Sequence, residues 1–470
     1  MEMFDLLVVG GGPGGYLCAE RAAQGGLKVA LFEKRALGGT CLNEGCIPTK
    51  AFCKNAQFLD ELKESEKYGV GKIDFQLDFS SVTERKNAVV DQLKAGVEGL
   101  LAHKLITLVR GRAMFKDEHT VTVISPLDEP RDYTADYIIV ATGSVSASLP
   151  IPGADLPGIL TSKEILDIDH IPQRLCVIGG GVIGLEFASI FRSFGSEVTV
   201  IEYCKEILPR FDTDLAKRLK QSLGKRGIEI NTQSQVTGIQ ILHGDHEGNE
   251  VYSVSYTRKG KEENLLADKV LMAVGRRAAV QSMNFSEIGI EMTPKGLKVN
   301  EFMQTNIPNV YAIGDINGLM MLAHAATFQG IVALDHIMGV ENHIDLSVMP
   351  AAVFTSPEAA SVGMTEDECK EKGIAVKCLK SFFRANGKAL TMGETDGFCK
   401  VVVAAPAKEG ELQQYPAGRI LGCHLYGPHA SDIVQEACAL ITAKATLEEF
   451  QSVIHTHPTL TEVLQSAVHS

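Results

Sequence analysis

Two long trains of apolar positions repeat along the chain. LLVVGGGPGGYLCAERAAQGGLKVALFEK begins at Leu6, and LCVIGGGVIGLEFASIFRSFGSEVTVIEY begins at Leu175. Each reads as a short apolar run, a glycine-rich turn, a stretch with helical period, and a second apolar run closed by an acid. Short unbroken apolar runs predict strands covered on both faces, and a helix between two of them predicts a βαβ unit with a parallel sheet. GRAMF (111–115) and the alternating TVTVI (120–124) predict a small antiparallel insertion after the first unit. ADYIIVATGS (135–144) predicts a returning buried strand ending on a small-residue turn, and DKVLMAVGRR (268–277) closes the second unit in the same way. Pro150, Pro152 and Pro157 mark a linker between the two copies. NVYAIGDI (309–316) predicts a strand that delivers Asp315 beside a glycine. The last 120 or so residues change character. SPEAASVGMTEDE, the strand-like CKVVVAA and an apolar helix near 432–443 predict an α+β domain with its own sheet.

The glycines of the repeat carry chemistry. They are Gly10, Gly12 and Gly15 in the first copy and Gly179, Gly181 and Gly184 in the second, with Glu33 and Glu202 each 23 residues after the first glycine. In G-x-G-x-x-G the first glycine permits the tight turn, the second lets backbone approach a pyrophosphate, and the third packs helix on strand. The helix start supplies free N–H groups and the positive end of its dipole to the phosphates. The acid accepts hydrogen bonds from an adenosine ribose. One such motif is weak evidence; two with strand, helix and acid all in place are strong.

Composition narrows the class. With 470 residues the chain is too long for one core. A formal charge of -13 and no basic run argue against nucleic-acid binding. The longest uncharged run, Tyr137 to Ala154, is broken by Gly, Ser and Pro, so no membrane span is expected. Eleven scattered cysteines, an odd number, and an N-terminus that runs directly into a strand point to a reducing cytoplasm.

Two of those cysteines are close together, in GGTCLNEGCIPTK (38–50). Structural zinc needs a second pair of ligands beside the first; Cys53 is the only other nearby thiol and no His lies near in sequence, so no metal is expected. In regular helix their Cα atoms would lie about 8–9 Å apart, beyond the roughly 7 Å that a disulfide spans. A bond therefore needs a distorted helix start, which Gly45 can supply, and strained bridges are the easily reduced ones. A helix start also favours the reactive thiolate. A working redox couple is the reading to prefer over a staple or two inert thiols.

GGTCLNEGCIPTK resembles the redox-disulfide motif of the flavin disulfide reductases. GGGPGGY at the N-terminus, AIGD (312–315), MLAHAA (321–326) and HTHPTLTE (455–462) match that family in the same order, nearly from end to end. Within it the chain most resembles the branch that oxidises protein-bound dihydrolipoyl groups. The resemblance implies an α/β fold with two Rossmann-like dinucleotide-binding domains and a C-terminal α+β dimerisation domain. The expected divisions are 1–146 for FAD, 147–276 for NAD, 277–346 as a central domain completing the FAD site, and 347–470 as the interface domain.

The resemblance also implies roles. Gly10, Gly12, Gly15, Glu33, Ala113, Thr142, Gly143, Ser144, Asp315 and Ala323 would contact FAD. Gly179, Gly181, Gly184, Glu202, Val236 and Gly275 would contact NAD. Cys46 would lie against the flavin and Cys41 would exchange with substrate sulfur. Lys50, paired with Glu186, would sit beside the isoalloxazine, and His457, oriented by Glu462, would be the base. A histidine suits that task because a dithiol must lose protons near neutral pH. His455 and His457 share a face in extended chain, so period alone does not choose between them; the motif chooses His457. The implied partners are a second copy, as a homodimer, and a lipoyl-bearing subunit of a 2-oxoacid dehydrogenase complex or glycine cleavage system. Glu44 and Ala325 depart from the pattern, which has an apolar residue and Lys there. A glutathione-type reductase and a flavoprotein without catalysis are the rival readings. A mercuric-ion reductase fits less well, since the chain closes on AVHS without cysteines.

Overall fold

In the first train the apolar runs become strands Glu2–Val9 and Val29–Glu33, joined by helix Pro13–Gln24. The computed structural model describes residues 2–125, 129–242, 250–406 and 413–470. The chain divides into two units. The first holds residues 1–51, 81–147 and 275–346; the second holds 52–80, 148–274 and 347–470.

The first unit is built on a sheet in the order Ile106–Arg110, Val29–Glu33, Glu2–Val9, Arg131–Val140, Thr120–Ile124, Arg112–Phe115. Its first four strands run parallel, and the predicted insertion pairs antiparallel at the other end. Val310–Ala312 adds a further parallel strand beside Arg131–Val140. Leu6, Leu7, Val8, Ile138 and Ile139 are fully buried, because both faces of the sheet are covered. One cover is helix Pro13–Gln24 packed on helix Ala323–Ile337. They approach through small residues: a side-chain carbon at Gly14 would already touch the Ala326 methyl at 3.1 Å.

The second unit repeats the parallel plan in the order Ile228–Asn231, Glu197–Ile201, Arg174–Ile178, Lys269–Met272, Ile159–Leu160. An antiparallel three-stranded layer (Ser234–Leu242, Val251–Arg258, Lys261–Ala267) lies between its halves in sequence. Its C-terminal sheet is antiparallel, in the order Ala351–Val353, Glu358–Gly363, Ile420–Gly427, Phe398–Ala404, Val376–Phe382. Helices Ala430–Thr442 and Glu462–Val468 pack on this sheet.

A buried charge cluster fixes the C-terminal sheet to the rest of this unit. Asp212 caps helix Thr213–Lys225 by accepting from the N–H of Asp214 at 3.0 Å. Its other oxygen takes Lys400 Nζ at 2.9 Å, and Glu366 takes the same ammonium at 2.6 Å. Lys400 and Asp212 are shut off from solvent. Removing Lys400 would leave a buried carboxylate uncompensated, at a cost of about 3–5 kcal/mol.

Candidate active site

The first glycine turn holds its acid inward. Glu33 ends its strand buried, and its two oxygens accept from the N–H of Gly11 at 2.8 Å and of Arg35 at 2.7 Å. Gly10 has φ +111°, and a side-chain carbon there would lie 2.2 Å from Ala141 O. At Gly15 it would lie 1.8 Å from Gly10 O, so helix and strand meet only because both residues lack a side chain.

This turn is roofed by the cysteine segment. Gly38 donates to Gly11 O at 2.8 Å. Gly38 and Gly39 both have positive φ, and a carbon added at Gly39 would strike Gly12 Cα at 2.7 Å. From this contact helix Gly39–Glu44 begins. It breaks at Gly45 (φ -150°, ψ -112°), and helix Cys46–Lys63 restarts at the second cysteine. Pro48 is tolerated there because a first-turn N–H has no helical acceptor. The break lets the Cys41 thiol hydrogen-bond Cys46; both are free thiols, Cys46 exposed and Cys41 partly buried. The bond to Cys46 and burial push the Cys41 thiol well up, and Lys50 opposes them.

Asp315 lies in a short 3-10 turn (Gly314–Asn317) just after Val310–Ala312 and accepts from the Ser144 hydroxyl. Ser144 in turn receives Arg276 Nε at 2.7 Å on Oγ and Arg276 Nη2 at 3.0 Å on its carbonyl. Burial pulls the Arg276 guanidinium down, while Asp315, Glu44 and Cys46 pull it up. Arg276 was not among the residues expected at the site. Its place directly after Gly275 at the end of a buried strand was the available signal. Gly143 has φ +73°, and Ala323 opens its helix with an N–H that no helical carbonyl takes. Ala113 is buried on Arg112–Phe115.

The second turn reproduces the first. Gly179 has φ +110°, and a carbon at Gly184 would lie 2.0 Å from Gly179 O. Glu202 is buried and accepts from the N–H of Gly180 and of Cys204, each at 2.5 Å. Around Gly181 none of the described residues lies within 4 Å of where a side chain would start. Val236 is buried in the same unit, and Gly275 has φ +114° with open space beside it. Glu186, on helix Val182–Phe194, is buried and accepts from Phe354 N–H at 3.0 Å.

The two histidines near the C-terminus part company. His455 is 3% exposed, with Nε2 2.9 Å from Glu436 Oε1. His457 is 79% exposed, with Nδ1 2.8 Å from Glu462 Oε1. Glu462 also accepts from Thr459 N–H at 2.9 Å, and this bond and the His457 contact hold its carboxyl below the usual range.

A family model described as pyridine nucleotide-disulphide oxidoreductase matches residues 4–330, and the dimerisation domain of the same family matches 349–468. The chain belongs to this family. It is 39% identical to a dihydrolipoyl dehydrogenase of Chlamydia muridarum, covering 98% of this chain and 95% of the relative. A dihydrolipoyl dehydrogenase of Geobacillus stearothermophilus is 40% identical over the same shares. Among solved structures, the HOCl-induced flavoprotein disulfide reductase RclA from Escherichia coli superposes with a TM-score of 0.84 at 27% identity, covering 99% of each chain.

As a pyridine nucleotide-disulphide oxidoreductase, the chain is an FAD-dependent enzyme that also uses NAD, and its dimerisation domain marks it as a homodimer. The first unit fits FAD: Thr142 Oγ1 is buried without a hydrogen-bond partner among the described residues, beside the glycines that keep side chains clear of the turn. Among the described residues no group of side chains is arranged to hold a metal, and no helix is long and apolar enough to cross a membrane.

Proposed function

We propose that the chain oxidises protein-bound dihydrolipoyl groups and passes their electrons to NAD⁺ in the cytoplasm, serving a lipoyl-bearing subunit of a 2-oxoacid dehydrogenase complex or glycine cleavage system. The hydrogen-bonded Cys41–Cys46 pair, placed where a broken helix roofs the first dinucleotide turn, is the observation that carries this reading. The full-length dihydrolipoyl dehydrogenase relatives support the substrate.

In the oxidised enzyme a substrate thiolate attacks Cys41, the Cys41–Cys46 bond breaks, and Cys46 leaves as a thiolate. The second substrate thiol then displaces Cys41, closing the lipoyl disulfide. The substrate loses two electrons and the cysteine pair gains them. His457 takes the substrate proton, with Glu462 holding its ring. Lys50, with Glu186 as its proposed counter-charge, favours negative charge beside the flavin. FAD, when bound, converts sulfur chemistry into hydride transfer, which no side chain performs. Gly10, Gly12, Gly15, Glu33, Ala113, Thr142, Gly143, Ser144, Asp315 and Ala323 hold it, and Gly179, Gly181, Gly184, Glu202, Val236 and Gly275 hold NAD.

Cys46→Ser should abolish turnover of dihydrolipoamide with NAD⁺ while FAD stays bound; turnover near the wild-type rate would refute the redox pair. A chain that reduces glutathione disulfide but leaves dihydrolipoamide untouched would belong with the low-molecular disulfide reductases instead. The base is proposed to act across the two-fold interface, which makes two composite sites per dimer. Mixing Cys46→Ser with His457→Gln chains should then restore activity towards half that of wild type. No recovery after verified subunit exchange would exclude the shared site.

A further inference from the structure

Glu44 stands between the two cysteines in sequence, at the end of the helix that carries Cys41. An unpaired carboxylate there would oppose reduction of the pair. Two electrons and one proton convert the disulfide into one thiol and one thiolate, so reduction adds a negative charge. The structure turns this carboxylate to a partner. Arg35 grips it with both terminal nitrogens, Nη2 to Oε1 at 2.7 Å and Nη1 to Oε2 at 3.2 Å.

Arg35 is itself fixed. Its N–H donates to Glu33 Oε1 at 2.7 Å and its carbonyl takes Arg110 Nη1 at 3.3 Å. The grip therefore ties the cysteine helix to the end of the strand that holds the first glycine turn. A fork-shaped guanidinium suits this task, because two parallel bonds fix a carboxylate in direction as well as in place. Around the pair, Lys50 acts on Cys41, Tyr16 also feels Cys41, and Arg276 feels Cys46, Glu44, Asp315 and Arg35.

We propose that Arg35 is a positioning residue of the redox pair: it clamps and neutralises Glu44, so that this carboxylate no longer opposes reduction of the Cys41–Cys46 disulfide. The inference rests on reading Cys41 and Cys46 as that pair.

The test is the pair's equilibrium with poised mixtures of dithiothreitol and its oxidised form, read by alkylation and mass measurement of the peptide holding both cysteines. This readout does not depend on turnover. Arg35→Met should make the pair about three- to tenfold harder to reduce, equivalent to about 15–30 mV for a two-electron couple. Arg35→Met with Glu44→Gln should return within about twofold of wild type, since the freed charge is gone. Glu44→Gln alone should make the pair easier to reduce by a similar factor, and it serves where Arg35→Met folds poorly. An unshifted equilibrium in Glu44→Gln, or an Arg35→Met shift that Glu44→Gln does not reverse, overturns the proposal. If the wild-type pair never exchanges with dithiothreitol, the redox reading itself fails, which is a distinguishable outcome.

Discussion

The two glycine turns are near copies, and the difference between them lies in what covers them. In each, the first glycine has φ close to +110°, and a carbon at the third would lie at most 2.0 Å from a carbonyl of the turn. In each, the buried acid accepts one N–H from the turn and one from two residues beyond itself. A later segment meets each turn, Gly38 N–H donating to Gly11 O at 2.8 Å and Leu208 N–H to Gly180 O at 3.0 Å. Only the first has a residue, Gly39, packed over its middle glycine; no described residue lies within 4 Å of where a side chain would start at Gly181. A roofed turn suits a cofactor that stays through many cycles. An open one suits a nucleotide that must leave after each. The same local sequence rules would thus serve two sites with different exchange behaviour, set by what packs over the middle glycine.

The largest effect is expected from overfilling the third glycine of each turn. Forcing a methyl against backbone at 1.8–2.0 Å costs about 1–3 kcal/mol, or roughly a 5- to 150-fold loss in dinucleotide affinity. Gly184→Ala should raise KM for NAD⁺ by that factor while FAD stays bound and dithiol still bleaches the visible spectrum. Gly15→Ala should release FAD and lower Tm. If Gly184→Ala sheds FAD as readily as Gly15→Ala does, the two sites are not independent.

A smaller effect is expected at the acids. Glu202→Gln keeps one acceptor oxygen for two N–H donors, so one bond is lost at about 1–3 kcal/mol. KM for NAD⁺ should rise, and the ratio of kcat/KM between NAD⁺ and NADP⁺ should fall, because the charge that repels a 2′-phosphate is gone. Lys205 and Arg210 follow closely in sequence and would soften that repulsion where they face the phosphate. Glu33→Gln should leave this ratio untouched and instead speed FAD loss. An unchanged ratio in Glu202→Gln would remove this residue from nucleotide choice.

Much of this was legible in the sequence. Both βαβ units follow from apolar runs and glycine spacing, since a fully covered parallel sheet needs runs without alternation. The helix break at Gly45 follows from the reach of a disulfide, which regular helix does not meet. Charge partners were less accessible. Glu44 stood out as a residue out of pattern, but Arg35 lies nine positions away and only the packed turn brings them together. Arg276 finds Ser144 across 132 residues, which no local period encodes. Period alone does not choose between His455 and His457 either, although the HPTLTE motif does. Both occupy one face of extended chain, and only the fold turns His455 in towards Glu436 and leaves His457 outward on Glu462.

The finest distinction between the turns is at their middle glycines. Gly181 has an ordinary φ of -80°, and a methyl there meets none of the described residues within 4 Å. Gly181→Ala should therefore change stability by no more than about 0.5 kcal/mol. Its methyl instead enters the space that a pyrophosphate must approach, so KM for NAD⁺ should rise with Tm unmoved. Gly12 has a similar φ of -75°, but its methyl would stop 3.9 Å from Gly39 Cα, in ordinary contact with the roof. Gly12→Ala should thus also fold with little change in Tm, and its effect should fall on FAD retention under dialysis rather than on KM for NAD⁺. Swapped phenotypes would mean that the roof does not separate a resident dinucleotide from an exchanging one. Loss of Tm in Gly181→Ala alone would mean that another segment of the protein closes over the second turn in solution.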